Sequence, residues 1–173
     1  DHCMQSQNVC NSGDTVGEWP ALAFVGGVPV VAYRDIHFAF AMNDVDNSDV
    51  ELSWGGQRSS IDATWGGGTY SHMVVGPDQR VHVAHWNRFS GINFRVHGQG
   101  IFVISGTNGS WTRTKVSEEV NIGYKLAFAG GGSRLGIAYN PQMAQTLQFI
   151  EAPDGETWGA PEAAPPDDVP PAD

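Results

Sequence analysis

Four scarcities frame this 173-residue sequence. Basic residues are few: nine Lys and Arg against nineteen Asp and Glu leave a formal net charge of −10. The nine are scattered, and phosphate binding needs clustered cations, so no nucleic-acid partner is expected. The acidity suits a secreted protein that stays soluble. Long apolar runs are missing, so no segment reads as a membrane span. Helical periodicity is missing too, because Gly and Pro interrupt every window in which a 3.6-residue repeat could run.

Cysteine is nearly absent. Cys3 and Cys10 stand close together in a polar segment, and the residues between them can close a small disulfide loop. That pairing points to an oxidising compartment, so a secreted, periplasmic or cell-surface location is expected. A metal pair completed by His2 and Met4 is the competing reading. A chain opening on Asp1 is expected to have lost a leader or a longer N-terminal portion.

Glycine is abundant, at 22 residues, and it punctuates apolar stretches with strand character. Residues 17–35 read as strand, Gly-Gly turn, strand, which is a hairpin signal. Residues 36–42 alternate and predict a third strand; 43–49 read as a polar loop and 50–54 as a returning strand. A second copy begins at Thr69 and continues through predicted strands at 92–98, 101–106 and 110–116. A third covers 123–140, then 146–152 and 156–158.

The copies share a register. Tyr33, His85 and Tyr139 fall at one position, each preceded by Ala32, Ala84 or Ala138. Upstream, Trp19 to Phe24 aligns with Tyr70 to Val75 and, with a residue of slippage, with Tyr124 to Phe128. On a strand of period two, a branched apolar residue shares a face with each ring, and the Ala residues form the other face. Small and large faces on one strand predict sheets packed on both sides. The expected fold is therefore all-β: three blade-like antiparallel sheet repeats, propeller-like, as an incomplete ring or part of a larger assembly. Residues 1–16 form a stapled lead-in, 17–65, 66–119 and 120–158 the repeats, and 159–173 a Pro/Ala/Asp-rich tail.

The turns Asn108-Gly109-Ser110-Trp111 and Asp154-Gly155-Glu156-Thr157-Trp158 resemble the Asp-box of sialidase-like β-propellers. The hairpins before them resemble the repeats of bacterial extracellular propeller proteins. The resemblance covers about residues 17–158 and implies architecture first, since such turns are structural. It also implies, as an alternative, a sialidase-like glycoside hydrolase fragment; sialidases of this fold use an arginine triad for the substrate carboxylate, a Tyr–Glu nucleophile pair and an Asp acid. Arg34 is the strand-end arginine that could face a central site; Arg80, Arg95 and Arg134 fall at turns or in mid-strand. No nucleophile is assigned. Three blades do not close a ring, so other chains or a larger parent chain are expected to complete it.

Chemistry concentrates in three places. His72, His82 and His85 are candidate copper or zinc ligands, His82 pairing with His72 or His85 with His37 or His97 across strands. The bland alternative is that His85 replaces the packing Tyr of its sister copies and His72 is simply exposed. Arg34, Asp35 and His37 gather at a strand end, and Trp86 replaces the Arg34 of the first copy. These four could bind a glycan or another extracellular ligand, with Arg as a clamp and the ring as a stacking surface. An Arg34–Asp35 pair capping a turn is the alternative. Asp44, Asp46, Ser48 and Asp49 place oxygens as the first half of a calcium loop would, or form a solvated acidic turn. The leading expectation is a binding or scaffold module without catalysis of its own.

Overall fold

A computed structural model of the chain describes residues 15–38, 46–63, 66–87, 99–118, 122–141 and 146–163. They form three four-stranded antiparallel sheets, and no helix occurs among them. The first holds β1 (Thr15–Val25), β2 (Val28–Phe38), β3 (Asp46–Trp54) and β4 (Gln57–Asp62). The second holds β5 (Thr69–Val75), β6 (Val81–Asn87), β7 (Gly100–Thr107) and β8 (Ser110–Ser117). The third holds β9 (Ile122–Gly131), β10 (Arg134–Pro141), β11 (Gln148–Ala152) and β12 (Glu162–Ala163). In each sheet the strands follow one another in chain order. The first strands lie innermost, with β5 in contact with both β1 and β9. The fold is thus the all-β, three-repeat stack that the register implies, with the sheets arranged as blades of an open ring.

Several boundaries differ from the sequence reading. Residues 36–38 extend β2 instead of opening a new strand, and they pair with Asp46, Asn47 and Ser48 of β3. The alternation in that stretch keeps the phase of the strand before it, so nothing breaks the strand there. The polar residues 46–49, read as loop, accordingly belong to β3. Gly55 and Gly56, at φ 55° and 85°, join β3 to β4 in the left-handed geometry of a two-residue hairpin. In the third sheet, Glu156-Thr157-Trp158 is not a strand. Asp154 Oδ1 accepts from the backbone N–H of Glu156 (2.9 Å) and Thr157 (2.7 Å), which folds the chain into a turn. Those N–H donors, Thr157 first, hold the Asp154 carboxyl down at about 2. The fourth strand is instead Glu162–Ala163, inside the stretch read as tail. The predicted strand at 92–98 and the Cys3–Cys10 pair lie outside the described residues.

Two apolar interfaces hold the stack. Val30, Ala32, Val50 and Leu52 of the first sheet pack against Val81, Val83, Ile104, Met73 and Val75 of the second. Ala84, Trp86, Ile101 and Val103 on the second sheet's other face pack against Leu126, Phe128, Ile137, Tyr139 and Ile150 of the third. Each wholly buried Val, Leu or Ile contributes about 1.5–3 kcal/mol. The arrangement has a polarity. Val83/His85 and Ile137/Tyr139 face the preceding sheet, while Ala32 and Ala84 face the following one.

Candidate functional site

The inner strands of the first two sheets share a defect. Pairing of β1 with β2 shifts on either side of Glu18, and pairing of β5 with β6 shifts between Thr69 and His72. Within these bulges Trp19 and Tyr70 adopt φ of 52° and 55°. For a bulky residue that is a strained backbone, worth about 1–3 kcal/mol, and a bulge re-aims the side chain it carries. The two re-aimed rings meet edge to face at 4.6 Å between centroids. Tyr70 in turn stacks on Trp86 at 6.1 Å and 7°. Trp19 is 44% exposed and Trp86 is nearly buried, so the three rings step from the surface into the second sheet.

Charge borders the aromatic steps. Arg34 Nη1 donates to Glu18 Oε2 at 3.0 Å, across the same bulge. The arginine side chain is largely buried, at 11% exposure, whereas Glu18 is 37% exposed. Trp86 Nε1 and Thr69 Oγ1, on residues directly opposite across β5–β6, are buried with no hydrogen-bond partner among the described residues. An unmet buried donor of this kind costs about 1–3 kcal/mol.

The loop of Gly66, Gly67 and Gly68 sets the position of Tyr70. Gly67 donates its N–H to Ser48 O (3.2 Å), and Ser48 Oγ donates to Gly67 O (2.9 Å). Ser71 Oγ donates to Gly68 O at 2.8 Å. Gly68, at φ 84°, packs directly on Arg34: a Cβ there would sit 3.0 Å from Arg34 Cβ and Cγ. Finally Gly68 N–H donates to His85 Nδ1 at 3.1 Å. The His85 proton is therefore on Nε2. That atom lies 3.2 Å from Asp62 Oδ2, close enough to attract but not aligned as a hydrogen bond.

Asp62 and His85 are both buried, at 5% and 0% exposure. Arg113 Nε donates to the same Asp62 oxygen at 2.7 Å, and its guanidinium lies 3.4 Å above the Phe102 ring, on which His85 also stacks. The cluster resembles half of a catalytic triad in composition only. Among the described residues no hydroxyl or thiol nucleophile bonds to His85, whose Nδ1 is taken by backbone. It is a polar rivet between the first two sheets, and it fixes the loop that delivers Tyr70.

Of the proposed ligand residues, Arg34 and Trp86 join this site and Asp35 does not. Asp35 lies on the opposite face of β2, buried, where Arg58 bridges it to Glu51. Arg34 and Asp35 therefore serve separate ion pairs and form no turn cap together. The side chain of His37 lies outside the described residues, as does all of Asp44 and the side chain of Asp46. Ser48 and Asp49 are neighbours on β3 and point to opposite faces, with Ser48 Oγ committed to Gly67. His72 and His82 share one face of the second sheet as diagonal neighbours, while His85 points to the other. His82 Nδ1 is 2.8 Å from Ser105 Oγ. No three His, Cys, Asp or Glu side chains converge as a metal group among the described residues. Arg80 pairs with Glu156 and Arg134 with Glu151, so they and Arg34 stand at three separate places. No family model matches the chain, and no curated protein matches it.

Sequence reasoning missed Trp19, Tyr70 and Glu18. The signal was available for the first two, since they align as the aromatic that opens each copy. For Asp62 and Arg113 no local signal exists, because their partners lie on another sheet.

Proposed function

We propose that this chain is a secreted or cell-surface binding module, without catalysis of its own, that takes a neutral glycan on the Trp19–Tyr70–Trp86 step. The observation that carries the reading is the pair of strained bulges at Trp19 and Tyr70. Two repeats independently hold a large ring in a costly conformation at the inner rim, and strain of this kind collects at ligand sites. A sugar's apolar face stacks on such rings, while its hydroxyls suit the Glu18–Arg34 pair. The net charge of −10 favours a neutral ligand over a sulfated or sialylated one. Glu18 at the site and Asp62 in the rivet beside it are held in ion pairs with Arg34 and Arg113, which suits positioning better than proton transfer. The spacing of Cys3 and Cys10 supports an oxidising, extracellular setting.

The test is a glycan array probed with the wild-type chain and with Trp19→Ala. Binding to neutral oligosaccharides that disappears in the variant is expected. A blank array, or signal that survives the substitution, overturns the reading.

A further inference from the structure

The two internal interfaces are one interface built twice. In each, two residues of the inner strand pack toward the preceding sheet: Met73 and Val75 in the second, Leu126 and Phe128 in the third. The register places Leu22, opposite Val31, at the position of Met73 (opposite Val83) and Phe128 (opposite Ile137), and Phe24 at the position of Val75. Leu22 and Phe24 share the face of Val31 and Tyr33, away from the second sheet, opposite Val31 and Pro29 on β2. Leu126 and Phe128 are 3% and 8% exposed, whereas Leu22 and Phe24 are 61% and 63% exposed.

The receiving side shows the converse. Ala32 and Ala84 face the following sheet and are wholly buried. Their equivalent Ala138 is half-exposed, beside Ala127 and Phe149 on the outer face of the third sheet. One end of the stack thus carries the inserting half of the interface and the other end the receiving half. Charge does not set the two faces against each other: Arg58 bridges Asp35 and Glu51 on the first, which leaves one negative charge, and Arg134 pairs with Glu151 on the third.

We propose that two copies of this chain associate head to tail, the Leu22/Phe24 face of each docking on the Ala138 face of the other, to close a six-bladed ring. Two different patches that meet with a closing rotation generate a ring, and here both patches are on the page. Closed propellers hold about four to eight blades, so two copies of three sheets fit where three copies would not.

Sedimentation equilibrium on the 173-residue chain, with Phe24→Glu and Ala138→Arg alongside, tests this. Both positions are solvent-accessible in the single chain, and far-ultraviolet circular dichroism checks that each variant keeps its strands. The wild type is expected at twice the chain mass of 18.6 kDa, and each variant at 18.6 kDa. A wild-type monomer overturns the proposal and leaves these faces to sheets of another chain. A dimer broken by Phe24→Glu but not by Ala138→Arg is a face-to-face pair and overturns it equally. So does a particle of any other mass.

Discussion

His85 Nε2 stands 3.2 Å from Asp62 Oδ2 across the first interface. Across the second, the Tyr139 hydroxyl stands 3.4 Å from Ser117 Oγ. His85 and Tyr139 occupy one position of the repeat. Asp62 and Ser117 occupy another, opposite Val50 and Ile101 at the ends of β4 and β8. A ring on the second strand therefore reaches the last strand of the preceding sheet in both places, with different chemistry. Asp62→Ser is expected to cost about 1–3 kcal/mol, because Arg113 loses its acceptor and His85 the carboxylate beside it. Adding His85→Tyr recreates the Tyr139–Ser117 combination and is expected to recover part of that loss, with a coupling of about 0.5–3 kcal/mol in a urea-unfolding double-mutant cycle. Strict additivity would show that the two residues do not act as a pair.

Gly68 is expected to tolerate no side chain. Its φ of 84° and the 3.0 Å approach to Arg34 leave no room for a Cβ without moving the arginine. Gly68→Ala should lower stability by about 1–3 kcal/mol through backbone strain. It should also disturb the Glu18–Arg34 pair, since that pair rests on Gly68. Thermal unfolding together with the Arg34 side-chain resonances checks both. An unchanged midpoint with an unmoved Arg34 would contradict it.

The architecture was legible in the sequence because it repeats. Alignment of Tyr33, His85 and Tyr139 gave the strand register, and alternation around Ala32, Ala84 and Ala138 gave both packing faces. Boundaries were less legible where polar residues occupy strands: Asp46–Asp49 read as loop by composition, yet their pairing with β2 holds them extended. Within the site, Arg34 and Trp86 were visible as strand-end residues. Asp35 misled, because adjacency in sequence means opposite faces on a strand. The bulges at Trp19 and Tyr70 leave no compositional mark, being visible only as a slip in cross-strand pairing.

Acidification is expected to destabilise the fold through two histidines. Burial lowers the pKa of both His72 and His82; for His82 the Arg80 charge lowers it further, against smaller opposite effects of Asp78 and Glu156. The unfolded chain then takes up protons near pH 6.5 before the folded chain does. Stability is full above that pH and falls as pH drops below it, with the unfolded state binding the extra protons. In His82→Gln, which keeps a partner for Ser105, the dependence of unfolding free energy on pH between 7 and 5 should be shallower. A slope equal to the wild type's would remove His82 from the explanation.

Trp19 is expected to be expendable for folding and required for binding. Replacing it with Gly relieves a φ of 52°, which returns about 1–3 kcal/mol, and forfeits an aromatic contact worth about 0.5–1.5 kcal/mol. The thermal midpoint of Trp19→Gly should accordingly stay level or rise. A drop of several degrees would mean that the bulge is a packing device and not a presented surface.

The most direct measurement is isothermal titration calorimetry of a neutral oligosaccharide, chosen as the best array ligand, against the wild type, Trp19→Gly and Tyr70→Gly. Binding by the wild type, weakened at least about tenfold in each variant (about 1.4 kcal/mol) with folding intact, is the expected result. Equal affinity in all three proteins would contradict the assignment of the aromatic step as the binding surface.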